Sequence, residues 1–158
     1  MGESAEIEIR IAIAADADAV TEIYLASRKR LLSYAPLAHS DEDVRRWIGE
    51  ILIPQGGVYV AAAGGVLVGM MVLSRDGSFG WIDQLYLHPE AVGRGIGSQL
   101  LEEAKTSLSP PIRLYTFQAN LGARRFYERH GFRAIEFTDG MGNEEKRPDV
   151  LYEWVPEH

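Results

Sequence analysis

Apolar residues follow two different periods along this chain, and the changes of period predict the order of its strands and helices. Isoleucine occupies every second position of residues 7–13, which is typical of a half-buried strand. From residue 20 to residue 31 the apolar positions lie three or four apart. We therefore expect a helix that starts with Asp16 as its N-cap and continues to about Leu32.

A second helix and an antiparallel hairpin follow. Ser40 precedes Asp43 at the spacing of a capping box, and the helix that it opens should end in the Pro-Gln-Gly-Gly segment of residues 54–57. Two apolar strands, residues 58–62 and 66–73, flank a Gly-Gly pair that suits a tight hairpin, because glycine tolerates positive φ. The apolar face of the second helix is predicted to carry Val44, Trp47, Ile48 and Ile51.

The second half of the chain alternates strands with helices. A reversal at Asp76 and Gly77 leads into a long strand over residues 79–87, and helical spacing over residues 96–108 ends at two prolines. Residues 112–116 then alternate as a strand. Because this strand follows a helical crossover, we expect it to lie parallel to the strand of residues 79–87.

The C-terminal part predicts one more helix and two more strands. Asn120 is placed to cap a helix that Gly131 ends. Residues 132–137 and 150–155 have strand patterns, and a polar loop with two glycines lies between them.

The composition is that of one globular domain over residues 1–158, with 46% apolar and 25% charged residues. The absence of cysteine excludes disulfides, thiolate zinc sites and cysteine nucleophiles. The four histidines are scattered without ligand spacing, so we expect no metal site. A net charge of −7 argues against nucleic acid as a partner, and it favours cationic amines if it does more than support solubility. Without a signal peptide pattern or a membrane-length apolar run, we expect a cytoplasmic protein that does not bind membranes.

Three glycines at alternate positions carry the first sign of chemistry. Gly93, Gly95 and Gly97 follow a strand that Pro89 ends, and they precede an apolar pattern of helical period. We call residues 93–97 the glycine loop. A helix N-terminus with no obstructing side chains is suited to phosphate, although such a loop can also simply join strand to helix. It lacks the lysine of a Walker loop and the G-x-G-x-x-G spacing of a dinucleotide fingerprint.

Together with a second motif, this loop resembles the GNAT N-acetyltransferase superfamily. The second motif is N-x-x-A-x-x-x-Y-x-x-x-G-F, and it is matched by Asn120, Ala123, Tyr127, Gly131 and Phe132. In the first motif, Gly95 and Gly97 match the family's G-x-G/A, and residues 87–89 match its V-x-P. Val92 departs from the family, because it stands where Arg or Gln is usual; Arg94 could compensate for the lost contact.

The resemblance implies a fold, an activity and a co-substrate. The fold is α/β, or α+β in some schemes: a single GNAT-like domain with a mixed, mostly antiparallel seven-stranded sheet, splayed central strands and about four helices. The activity is transfer of acetyl from acetyl-CoA to a primary amine of a small molecule or peptide, and homodimers are common among relatives. The residues implied in coenzyme binding are Leu85, Tyr86, Leu87, Val92, Gly93, Arg94, Gly95, Ile96, Gly97, Ser98, Asn120 and Tyr127.

Tyr127 and Asp83 are the catalytic candidates. Tyr127 occupies the position at which the family often protonates the coenzyme A thiolate, with a packed aromatic as the alternative. Asp83 lies in an otherwise apolar strand, four residues before Leu87, and is a candidate general base. The amine could instead lose its proton to water, and the competing side chains are Gln84, His88, Tyr115, His39 and Glu136.

The acceptor itself is not identified by the sequence. The resemblance makes the first helix pair one wall of the acceptor cleft, so that Arg28, Tyr34, His39 and Trp47 are candidates for substrate contact, with surface or core packing as the alternative. The carboxylates of Glu144 and Glu145 either attract a cationic amine or belong to a solvated turn. The rival functions are a non-catalytic acyl-CoA-binding sensor and a different nucleotide-binding domain.

Overall fold

A seven-stranded mixed sheet forms the centre of the protein. The computed structural model describes residues 6–29, 39–144 and 146–156. The strand order is β1-β2-β3-β4-β5-β7-β6, and only the β4–β5 pair is parallel. This confirms the predicted sheet and the parallel crossover. The strands are β1 (Ile7–Ile11), β2 (Val58–Ala63), β3 (Val66–Asp76), β4 (Phe79–Leu87), β5 (Ile112–Phe117), β6 (Arg133–Phe137) and β7 (Asp149–Trp154).

Helices cover both faces of the sheet. On one face, Leu100 and Leu101 of the third helix pack with Tyr127 of the fourth against strand residues such as Met71. On the other face, the first two helices enclose a second cluster that includes Val60. The helices are α1 (Ala17–Lys29), α2 (Asp41–Trp47), α3 (Ile96–Ser107) and α4 (Leu121–Arg129).

Two caps and one turn confirm the local predictions. The Ser40 hydroxyl accepts a hydrogen bond of 3.2 Å from the Asp43 amide, and Asn120 Oδ1 accepts one of 3.1 Å from the Ala123 amide. The β2–β3 hairpin turns through Gly64 and Gly65, whose φ values of 58° and 83° favour glycine. The predicted end of α1 near Leu32 lies outside the described residues.

The prediction for Asp16 is wrong. Asp16 ends a short 3₁₀ turn before α1, and its carboxylate accepts hydrogen bonds from the Arg10 guanidinium, at 2.8 and 3.0 Å, and from the Ile13 amide. These contacts lower the pKa of Asp16. Because this turn occupies the chain, β1 also ends at Ile11 and leaves Ile13 exposed.

The apolar face predicted for the second helix is wrong at Ile51. After α2 the chain continues through a π turn (Ile48–Leu52) and one last helical turn (Ile53–Gln55). A π turn has more residues per turn than an α-helix, so it rotates the positions that follow it. Leu52 and Ile53 are therefore buried, whereas Ile51 is 49% exposed.

Candidate active site

A cleft of about 1050 Å³ opens where β4 and β5 separate. The two strands pair at only two positions, Gly80 with Ile112 and Trp81 with Arg113. Beyond Trp81 the strand edge of β4 that faces β5 has no ladder partner among the described strands. Main-chain polar groups of this open edge are available to a molecule in the cleft.

The glycine loop and the start of α3 form one end of the cleft. Gly95 is the N-cap of α3 with φ of 79°, and the first amide bonded within the helix is that of Gln99, which donates to the Gly95 carbonyl at 3.2 Å. The three preceding amides are the ones that a helix leaves without an internal acceptor. A Cβ atom added at Gly93 or Gly95 would meet nothing within 4 Å, so the space beside these two glycines is open, whereas one added at Gly97 would lie 3.3 Å from the Phe126 ring.

Tyr127 reaches the cleft from the core. It is buried on α4, its ring contacts Phe126 edge-on at 5.2 Å and Phe132 at 5.8 Å, and it lines the cleft. Burial raises the pKa of Tyr127 above the usual 10, because the phenolate would lose solvation. The side chain is therefore both a packed aromatic and a protonated donor at neutral pH.

Asp83 lies at a β-bulge in β4. Val72 of β3 pairs with Gln84 and the next residue pairs with Ile82, so that Asp83 is the extra residue without a partner in β3. Its side chain lines the cleft. Partial desolvation by the surrounding protein raises the pKa of Asp83, and a hydrogen bond from Ser74 opposes that rise.

Comparison with known proteins decides the family. A model of the acetyltransferase (GNAT) family matches residues 18–132. The chain belongs to this family. An uncharacterised N-acetyltransferase from Archaeoglobus fulgidus is 30% identical to it over 150 residues, which cover 87% of this chain and 100% of that protein.

Solved structures share the GNAT fold along almost the whole chain. YjaB from Escherichia coli, in its apo form, superposes with a TM-score of 0.75 at 22% identity and covers 96% of this chain and 99% of its own. The PaiA N-acetyltransferase of Thermoplasma acidophilum, solved in complex with coenzyme A, gives a TM-score of 0.72 at 24% identity, covering 94% and 98%.

Most residues that the GNAT resemblance assigned to the coenzyme line the cleft. Two do not: the Ile96 side chain is fully buried in the core, and Arg94 is exposed outside the lining. The Oδ1 atom of Asn120 caps α4, so its remaining polar atoms are the ones available to a ligand. The predicted residues that do line the cleft are Asp83, Leu85, Tyr86, Leu87, Val92, Gly93, Gly95, Gly97, Ser98, Asn120 and Tyr127.

The proposed acceptor contacts have different surroundings. Arg28 is buried at the end of α1, donates to the Tyr86 hydroxyl at 3.5 Å and lies 5.8 Å from the centre of the Phe117 ring. Trp47 packs edge-on against Tyr24 at 6.1 Å, away from the cleft lining. Tyr34 lies outside the described residues.

His39 and Glu144 connect two segments that the sequence analysis treated separately. The His39 imidazole contacts the Glu144 carboxylate, which links the start of α2 to the loop between β6 and β7. Glu144 is therefore engaged with a histidine, whereas Glu145 lies outside the described residues.

Sequence reasoning missed Arg129 and Ser27. Arg129 lines the cleft three residues after Phe126, so helical spacing on α4 was a signal that could have identified it. It adds a cationic side chain to the cleft. Ser27 of α1 also lines the cleft, and no local pattern distinguishes it from other polar residues on that helix.

Ser98 and His130 form a polar pair near the glycine loop. The Ser98 hydroxyl and His130 Nε2 are 3.0 Å apart, and Lys105 donates to the His130 carbonyl at 2.8 Å. Burial and the Lys105 charge lower the pKa of His130. A neutral imidazole is therefore favoured beside the hydroxyl of Ser98.

Among the residues that the structure describes, no three His, Asp or Glu side chains are grouped closely enough to hold a metal ion. No helix in the same part of the chain is both long and apolar enough to cross a bilayer.

Proposed function

We propose that this GNAT protein transfers the acetyl group of acetyl-CoA to a primary amine of a small molecule or peptide, by direct attack in a ternary complex. One observation carries the proposal: a single cleft joins the open amides of α3, the unpaired edge of β4 and the hydroxyl-bearing Tyr127. An anion site, an oxyanion donor and a proton donor are the parts that this acyl transfer requires.

The glycine loop would hold the pyrophosphate of the co-substrate. The positive φ of Gly93 and Gly95 exposes main-chain amides, and the helix dipole of α3 favours negative charge there. Because main-chain groups bind the phosphate, a valine at position 92 removes only a side-chain contact. Arg129, which lines the cleft, is a cation that would supply part of that contact, whereas Arg94 lies outside the lining.

The open edge of β4 and Tyr127 would act on the reacting groups. Main-chain amides near Leu85, Tyr86 and Leu87 are available to stabilise negative charge on the acetyl oxygen. As the amine nitrogen bonds to the acetyl carbon, the carbon–sulfur bond breaks and its electron pair leaves on sulfur. Tyr127 donates its proton, or a strong hydrogen bond, to that sulfur and is reprotonated from solvent.

Asp83 is proposed as the base that accepts the amine proton. Desolvation raises its pKa, which makes its carboxylate a better proton acceptor than that of an ordinary aspartate. Gln84 and Tyr115 also line the cleft, and proton loss to water is the alternative that requires no side chain.

The proposal is tested by measuring thiol release from acetyl-CoA across a panel of amines, after coenzyme A binding is established by thermal shift. Thiol release that depends on one class of amine supports the proposal. Tight binding without release on any amine favours the sensor function, and absence of binding contradicts the assignment of the glycine loop.

A further inference from the structure

An aromatic surface lies at the end of the cleft away from the glycine loop. The Tyr115 ring is stacked on the Trp81 ring, with centroids 5.8 Å apart and planes inclined by 12°. Tyr115 is 51% exposed and lines the cleft. Its ring therefore stacks on Trp81 with an offset, and its exposed part is accessible from the cleft.

A carboxylate lines the same cleft, on the strand that faces Tyr115 across the gap. Trp81 and Arg113 are the last paired residues of β4 and β5. Asp83 and Tyr115 each lie two residues further along their own strand, where the strands begin to separate. Both residues line the cleft, so a ligand there can meet a carboxylate from β4 and an aromatic ring from β5.

The exposed charges next to Tyr115 favour a cation, whereas the cation Arg28 is buried further along β5, beside Phe117. Tyr115, Leu151 and Glu136 are in register across β5, β7 and β6, so Glu136 is on the same face about 9 to 10 Å away. The neighbouring cation Arg113 is already engaged: its Nε donates to Glu153 at 2.8 Å, and its guanidinium lies 3.9 Å from the centre of the Phe79 ring.

We infer that the acceptor is a cationic amine carried on a flat, aromatic skeleton, which stacks on Tyr115 while its ammonium group faces Asp83. Stacking on an exposed aromatic ring stabilises a bound planar ring, and the carboxylate in the same cleft stabilises a positively charged group. A flexible polyamine has no flat face to stack. This inference rests on the proposed function, because it names the acceptor of the same site.

The test measures amine binding to protein saturated with coenzyme A, where no turnover takes place. Phenethylamine and cyclohexylethylamine have the same charge and nearly the same size, but only the first has a planar ring. We expect phenethylamine to bind about 2- to 10-fold more tightly, by calorimetry, to the wild-type protein. Tyr115→Phe should keep this preference and Tyr115→Leu should lose it, with coenzyme A affinity unchanged in both variants.

Two results would overturn the inference: equal affinity for the two amines, or a preference that persists in Tyr115→Leu. Loss of coenzyme A binding in the wild-type protein would instead contradict the proposed function. In that case the same two amines are titrated into the protein without coenzyme A, and the ratio of their affinities is compared between wild type and Tyr115→Leu. Melting temperatures of both variants verify that the fold is retained.

Discussion

The hydroxyl of Ser27 donates a hydrogen bond of 2.5 Å to the main-chain carbonyl of Leu87, sixty residues further along the chain. This contact fixes the end of β4 to α1 at the point where the strand enters the glycine loop. The side chain of Ser27 is buried, and both residues line the cleft. The position of the open edge of β4 therefore depends on α1, which packs on the face of the sheet opposite to α3 and α4.

Ser27→Ala should destabilise the protein and slow turnover. Loss of this part-buried hydrogen bond costs about 0.5–1.5 kcal/mol of unfolding free energy. Because the glycine loop is proposed to bind phosphate through its own amides, we expect kcat to fall more than coenzyme A affinity. Urea unfolding and steady-state kinetics measure the two effects. Thr21→Val is the control, because it removes from the same helix a buried hydroxyl that donates to the Ala17 carbonyl. An equal loss of kcat in that variant would contradict the role of Ser27.

Tyr127→Phe should lower kcat by about 100-fold or more if the hydroxyl is the proton donor. Coenzyme A affinity should change little, because the ring and its packing remain. Since burial raises the pKa of Tyr127, wild-type kcat should show no descending limb below pH 10 from this group. Tyr59→Phe removes the hydroxyl of another tyrosine that packs on the same core cluster and serves as the control. Unchanged turnover in Tyr127→Phe would refute the acid role.

Asp83→Asn should abolish the ascending limb of the pH profile of kcat/KM. In the wild-type protein this limb lies above the ordinary aspartate pKa of 3.8, because the pKa of Asp83 is raised. The folded protein also binds this proton more tightly than the unfolded chain does, so stability falls as pH rises through the shifted pKa. The variant should therefore melt higher than wild type at neutral pH. Glu136→Gln tests the competing base. If the ascending limb of the kcat/KM profile changes in that variant and not in Asp83→Asn, Glu136 and not Asp83 is the general base.

Gly95→Ala should destabilise the fold by about 1–2 kcal/mol, because alanine disfavours a left-handed φ of 79°. It should also weaken coenzyme A binding, since a methyl group would project into the open space above the α3 amides. Gly65→Ala is a matched control: its φ is 83°, and an added Cβ there also meets nothing within 4 Å. Calorimetric titration of both variants separates the two effects, and equal coenzyme A affinity would argue against phosphate at the glycine loop.

Local patterns predicted the order and direction of the strands, because periodicity and turn glycines are encoded within short segments. The failures have tertiary causes. Ile51 is exposed because a π turn rotates the positions that follow it. Asp83 does not follow the alternation of β4, because consecutive residues of β3 pair with Gln84 and Ile82 and leave it without a partner. Both features depend on neighbours that no short window of sequence contains. Arg129 lines the cleft because α4 packs beside the glycine loop, where Phe126 lies close to Gly97.

Because β4 and β5 pair at only two positions, β4 has a free strand edge, and such an edge can pair with a strand of another molecule. An unpaired strand edge normally invites a strand from another molecule, and proteins protect such edges at the margins of their sheets. Here the free edge lies in the interior of the sheet, with four strands on one side and three on the other. A neighbouring sheet cannot approach it in plane, whereas a slender extended molecule can enter from the cleft. The same gap thus admits a ligand and excludes aggregation through that edge.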